Sequence, residues 1–382
     1  MRICFYCNLV EFKPKGNVLQ FLTMLRALDR KLDQLHKSER KRYRFDCLLP
    51  FSFENGTGGF HFRHIRFFQS TSPIQKIIEM DQAHKYDFIF IRGRDHAYHL
   101  TKQKKELSEK LLYLAVQFNL NDPYIMGRLN HVFRHSRVVF FQTEPNAERY
   151  RSYQLEKGGY SAQELERKIK VLSQYVEPPR KPLQSRVVSA SDPLHLIQVG
   201  VIRPRYGLPV AAKAIGLIRK QVPKAKLHVL YPSIVAKRRN EARKLLRMPG
   251  VVDHGQKSHQ RTKEMIAKCG IGIALLYDNT PDRNPSHSYL SRILEYMCLG
   301  VPVLTTKTIG NIHLLGESYP LFVDTARDIA RCYQRLSDPA YYQEMSRYVL
   351  ERGKRFWADN AVESLWETLH REYKDKMGKK PG

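Results

Sequence analysis

With 382 residues, 42 % of them hydrophobic and including 18 Phe and 21 Tyr, the chain is too long for one ordinary core and too apolar to be globally disordered. That leaves room for two α/β domains of roughly 100 to 200 residues each. Its 65 Lys and Arg against 37 Asp and Glu give a net charge of +28, more than solubility requires, and favour a polyanionic partner: nucleic acid, an anionic membrane or a diphosphate-bearing substrate. Much of the excess lies in the stretches 26–44 and 238–247, which equally fit solvated helix surfaces.

The opening run 2–9 predicts a strand. A loop holding Lys13, Pro14, Lys15, Gly16 and Asn17 follows, then a helix over 18–35 with Leu22, Leu25, Leu28 and Leu32 on one face. Further strands are expected at 45–49 and 88–91, the latter closed by Arg92, Gly93, Arg94, Asp95 and His96. Another lies at 138–141, ahead of a turn and a helix. The proline-rich run 176–182 and the serine-rich run 185–192 predict a linker, after which the alternation restarts. Strands at 194–199, 226–231, 270–276 and 301–304 are interleaved with helices at 209–220 and 290–299. Strands separated by helices argue for parallel, doubly wound sheets that bind ligands at the carboxyl ends of their strands. The expected division is 1–180, 190–360 and a C-terminal helix and tail over 361–382.

The six cysteines are scattered. Cys4 and Cys7 fall inside the first strand with no second pair at finger spacing, so buried thiols in a reducing cytoplasm are expected rather than a metal site. No stretch approaches 18 apolar residues and the N-terminus lacks a signal-like core, which predicts a protein neither secreted nor membrane-spanning. Asn55-Gly56-Thr57 then reads as a turn rather than a glycosylation site. No Gly-x-Gly-x-x-Gly follows the first strand, which argues against a dinucleotide-dependent oxidoreductase. A basic nucleic-acid-binding protein would need an RRM, KH or finger signature that is absent, and no nucleic acid is expected as a partner.

The most informative segment runs from Ser286 to Val303. A helix carrying Ser291 and Arg292 in its first turn offers unpaired N–H groups and positive charge to a phosphate, and Glu295 shares a face with Ser291. The same spacing fits an ordinary crossover with a solvated Glu295. The segment resembles the nucleotide-sugar helix of GT-B glycosyltransferases related to family GT4, whose common form is Ser-x-Lys-x-x-Glu-Tyr-x-x-x-Gly-x-Pro-Val. Ser291, Glu295, Tyr296, Gly300, Pro302 and Val303 match it, with Arg292 in the lysine position. The resemblance implies two Rossmann-like doubly wound domains facing a cleft, the second holding the donor. Glu295 would bind the ribose, while Ser291, Arg292 and Tyr289 join it around the nucleotide. Where the family has the first glutamate of Glu-x7-Glu this chain has His287, a candidate for the donor sugar or phosphate.

A second resemblance is the strand 196–200 followed by a loop, where the family places two cations against the diphosphate. Val201 and Tyr206 occupy those places, so Arg203 and Arg205 become the candidates. A weaker match makes 251–255 the loop that brackets the base. In the N-terminal half Gly16 stands where the family has its acceptor loop, and Asp95 beside His96 is a candidate pair for an acceptor hydroxyl. An equal reading of that pair is a strand-capping turn. What the resemblance implies is hexosyl transfer, with retention, from a UDP- or GDP-sugar to a polysaccharide, lipid-linked or protein acceptor, the alternative being a non-catalytic GT-B relative because the first glutamate is missing. No metal or further cofactor is expected, and the basic N-terminal face suits the inner face of a membrane.

Overall fold

The computed structural model describes residues 1–8, 16–54, 60–116, 118–179, 192–235, 239–277, 287 and 290–378. The loop 13–15, the sequon at 55–57, most of the linker and Tyr289 lie outside them. Two compact units emerge: Met1–Tyr175 together with Ala358–Gly382, and Val176–Trp357.

The first unit is a seven-stranded parallel sheet. It contains β1 (Arg2–Cys7), β2 (Arg44–Leu49), β3 (Ile65–Gln69), β4 (Phe88–Arg92), β5 (Leu111–Ala115), β6 (Val138–Phe141) and β7 (Ile169–Val171), in the order β3-β2-β1-β4-β5-β6-β7. Alternation along β1 sends Ile3, Phe5 and Cys7 into one core and Cys4 and Tyr6 into the other, so helices cover both faces. One cover comes from the far end of the chain. Helix Ala358–Gly378 buries Ala361, Val362, Leu365 and Leu369 against the Phe5 face and is tied down by Arg137–Glu372 and Lys376–Asp87 ion pairs of 2.5 and 3.1 Å. The first helix spans Gly16–Gln34, close to the expected 18–35.

The second unit repeats the pattern with five parallel strands: β8 (His195–Val199), β9 (Leu227–Leu230), β10 (Val251–Gly255), β11 (Gly270–Ala274) and β12 (Val303–Thr305), in the order β10-β9-β8-β11-β12. Thus 251–255, expected as a base-bracketing loop, is an edge strand over all five residues. The last strand starts two residues later than the expected 301, because Gly300 takes a positive φ and the chain needs Val301 and Pro302 to leave the preceding helix. β3, β5 and β7 were not anticipated at all: β3 is an edge with polar positions, β5 follows a lysine-rich turn, and β7 is three residues long. All six cysteines are buried free thiols.

In each sheet the strand order reverses beside the first strand, between β1 and β4 and between β8 and β11. Helices leave on opposite faces there, which opens a crevice at the carboxyl ends.

Candidate functional site

At the β8/β11 crevice the chain leaves β8 through Gly200, whose φ of +119° suits only glycine. A Cβ there would stand 2.9 Å from Nη1 of Arg292, so the glycine also makes room for that guanidinium. A short 3-10 turn over Pro204–Tyr206 follows. It is fixed from both neighbouring strands: the buried Gln198 amide donates to the Tyr206 carbonyl at 3.0 Å, and the Tyr277 N–H donates to the Arg205 carbonyl at 2.8 Å.

The helix expected from 290 spans Ser291–Cys298. Tyr296 anchors it, its hydroxyl lying 3.2 Å from the Ile197 carbonyl and 3.4 Å from that of Ile273. Arg292 on the same helix is 8 % exposed. Its Nη1 donates to the Val199 carbonyl at 2.6 Å, while Nε and Nη2, also buried, have no hydrogen-bond partner among the described residues. Burial lowers its pKa, opposed by Tyr296, Tyr206 and Glu295. A buried cation whose one hydrogen bond among the described residues is to a neutral carbonyl is expensive, by several kcal/mol, unless an anion completes it.

Two more cations share its surroundings. The guanidinium carbons of Arg292, Arg205 and Arg203 lie 4.5, 5.4 and 5.8 Å from the centroid of the Tyr206 ring. Arg205 is half-buried and Arg203 exposed. Tyr206, in the place where a lysine was expected, therefore serves as the platform that gathers the cations. Glu295 lies one turn from Ser291 and is partly buried, its carboxylate without a hydrogen bond or ion pair to any described residue. Burial pushes its carboxyl up to about 7, against the pull of Lys263 and Arg292. Lys263, on helix His259–Cys269, was not singled out by the sequence; its only signal is four-residue spacing from His259 on an otherwise unremarkable basic helix. Ser291 is exposed at the helix start, and His287 is partly buried. The structure gathers Arg203, Arg205 and Arg292 around Tyr206, with Glu295 on the same helix as Arg292.

At the β1/β4 crevice, Gly93 leads into helix Arg94–Gln103. His96 packs on Tyr6 with ring centroids 5.1 Å apart, and its buried Nδ1 has no hydrogen-bond partner among the described residues. Burial lowers its pKa, partly offset by Asp95. Asp95 itself is not bonded to His96. It accepts from Arg128 at 2.9 Å and Arg94 at 3.1 Å, and although burial pushes its carboxyl up, those bonds hold it below the usual range. Asp95 thus holds two arginines while His96 stands apart, polar and neutral. Gly16 opens the first helix of this unit.

Among the described residues no group of three His, Cys, Asp or Glu is placed to hold a metal ion, and no helix is long and apolar enough to cross a membrane. No protein-family model and no curated protein matches the amino-acid sequence. Solved structures do match by shape. Anabaena HepE, in complex with UDP and glucose, superposes with a TM-score of 0.64 at 13 % identity, covering 96 % of this chain and 99 % of that one. A glycosyltransferase from Rickettsia africae gives 0.67 at 11 % identity over 98 % of both chains. The fold is GT-B. Sucrose-phosphate synthase from Thermosynechococcus elongatus extends the comparison, with a TM-score of 0.66 at 13 % identity over 98 % of this chain and all of that one. Agreement in shape at identities this low establishes the GT-B architecture of the chain and leaves its chemistry to the residues themselves.

Proposed function

We propose that the protein is a glycosyltransferase that binds a UDP- or GDP-sugar at the β8/β11 crevice of its second unit. The observation that carries this reading is the Arg292 guanidinium, buried with two nitrogens unpartnered and with Arg203 and Arg205 close by. A diphosphate supplies the oxygens such a cluster needs, and the arginine fork matches them two at a time. Glu295 accepts hydrogen bonds from the two ribose hydroxyls, as the GT4 resemblance implies. The UDP bound to HepE is consistent with this donor class.

In the reaction, the bond between the anomeric carbon and the β-phosphate oxygen breaks while an acceptor hydroxyl oxygen takes the sugar, and the hydroxyl proton passes to the departing diphosphate. The negative charge that collects on the leaving diphosphate is stabilised by the arginines; Arg292 is already held by the Val199 carbonyl, and the backbone of the turn that carries Arg203 and Arg205 is fixed by Gln198 and Tyr277. Transfer proceeds with retention and without a metal in this reading. The acceptor, a glycan on a lipid, protein or polysaccharide, meets the β1/β4 crevice of the first unit. There His96, neutral through burial, orients its hydroxyl through Nδ1. Cytoplasmic location, with the basic first unit against an anionic membrane, completes the proposal.

Titration calorimetry with UDP-glucose, GDP-mannose and ADP-glucose tests the donor assignment. One of the first two should bind with micromolar to sub-millimolar affinity, competitively with its free nucleoside diphosphate. Absence of binding by all three removes the assignment.

A further inference from the structure

A second basic constellation lies in the same unit, away from Arg292. Helix Arg239–Leu246 projects Arg239 and Arg243 at four-residue spacing, and Arg247 continues the row. All three line an open cleft of about 470 Å³ beside the carboxyl ends of β9 and β10, together with Tyr231, Ser233 and Asp253. That volume lies within the range of small-molecule sites.

The arginines are exposed, and none forms an ion pair or side-chain hydrogen bond among the described residues. Other helices of the chain do place acids one turn from their cations, as in Arg151–Glu148, Arg261–Glu264, Arg331–Asp328 and Lys354–Glu351. Like charges four apart cost a helix a few tenths of a kcal/mol per pair, so the row is a standing liability in the absence of an anion.

Asp253 is the carboxylate of the lining, and it does not neutralise the row. Its oxygens accept from the Tyr231 hydroxyl at 3.0 Å and the Gly255 N–H at 2.9 Å. Successive residues of a strand face opposite ways: Asp253 turns to Tyr231 while His254 turns to His228, 2.8 Å away. The cleft therefore sits on the Tyr231 side of β10. Its wall is continuous with the donor loop, because Ile202, next to Arg203, exchanges backbone hydrogen bonds with Ser233 and Val235 at 3.1 and 3.2 Å.

We propose that this cleft binds the phosphate ester of a polyol. The three guanidinium groups take the phosphate oxygens, and Asp253, with the Ser233 and Tyr231 hydroxyls, takes the polyol hydroxyls. A soluble sugar phosphate and a phosphoinositol lipid headgroup share that chemistry.

The test uses the full chain and three probes: glucose 6-phosphate, inorganic phosphate, and phosphatidylcholine vesicles with or without phosphatidylinositol. Glucose 6-phosphate should bind at least about ten-fold more tightly than inorganic phosphate, and Arg243→Ala should weaken it about ten-fold. The triple variant Arg239→Ala/Arg243→Ala/Arg247→Ala should abolish it while keeping the far-UV spectrum and the UDP-glucose response of the parent. Because Arg292→Met leaves the cleft intact, it should leave glucose 6-phosphate binding unchanged, which separates this site from the donor site. Binding only to the phosphatidylinositol vesicles, lost in the triple variant, supports the site and assigns its ligand to a headgroup. Equal binding of inorganic phosphate and glucose 6-phosphate overturns the polyol half. Binding retained by the triple variant, or no binding of any probe at millimolar concentration, overturns the whole.

Discussion

At the scale of single residues, Arg292 and Glu295 carry opposite liabilities that one ligand relieves together. Replacing the buried cation with methionine, of similar length, removes an uncompensated charge, a change that is neutral or stabilising when the cation serves no structural pair. We expect Arg292→Met to keep the melting temperature within a few degrees while weakening UDP-glucose on the order of a hundred-fold, from the loss of charge-assisted bonds worth roughly 1.5–3 kcal/mol each. A variant that melts early and binds normally would falsify the ligand role and make Arg292 a strut for Val199. Glu295 adds a pH dependence. Its carboxyl, near 4.5 when unfolded, is raised to about 7 by burial, so between those values the folded state holds a proton that the unfolded chain has lost. Stability from this group is present in full below about pH 4.5 and is lost as pH rises through 7, by about 3 kcal/mol. Denaturant unfolding at pH 5 and pH 8 should show that slope, and Glu295→Gln should flatten it. Ribose hydroxyls donate best to the carboxylate, so UDP-glucose affinity should run the other way, rising between pH 6 and pH 8 in the parent protein and staying level in Glu295→Gln.

At the scale of elements, legibility tracked how completely a segment's environment is written in its own residues. β4, Phe-Ile-Phe-Ile-Arg, is buried on both faces and reads as a continuous apolar run, whereas β3 and β10 are edges with polar positions and resemble loops; β5 is as buried as β4 and is hidden only by the lysine-rich turn before it. The Ser291–Cys298 helix was readable because its stop, Gly300, and its anchor, Tyr296, are residues with a specific backbone or packing task. What no local pattern contains is the partnership between distant segments. Tyr206 as a platform for three arginines, Asp95 turned to Arg128 instead of His96, and a C-terminal helix seated on the first sheet all depend on contacts far along the chain. That last packing yields a further expectation. Leu365 is fully buried in the first unit's core, the cluster that also holds Phe5, Phe45 and Phe90, so Leu365→Ala should cost 2–5 kcal/mol as a rough range. Its UDP-glucose dissociation constant, read by titration at a temperature where the variant is folded, should stay at the parent value; a large change would mean that the C-terminal helix reports on the donor site.

At the scale of the molecule, the chain builds two cores that share strand order but no residues: the Leu365 cluster belongs to the first unit and the Arg292 helix to the second. Each core is large enough to melt as a unit, and a ligand held by one of them stabilises only the transition in which its site is lost. Differential scanning calorimetry can therefore assign function to a unit without a substrate assay. UDP-glucose at about a hundred times its dissociation constant adds roughly 2.7 kcal/mol to the state that binds it. We expect that increment to raise a single transition, the one belonging to the second unit. Leu365→Ala should lower the other transition and leave the nucleotide-sensitive one in place, while Arg292→Met should cancel the nucleotide shift. If UDP-glucose instead moves the transition that Leu365→Ala lowers, and not the other, the donor is held by the first unit, and the roles assigned to the two crevices have to be exchanged.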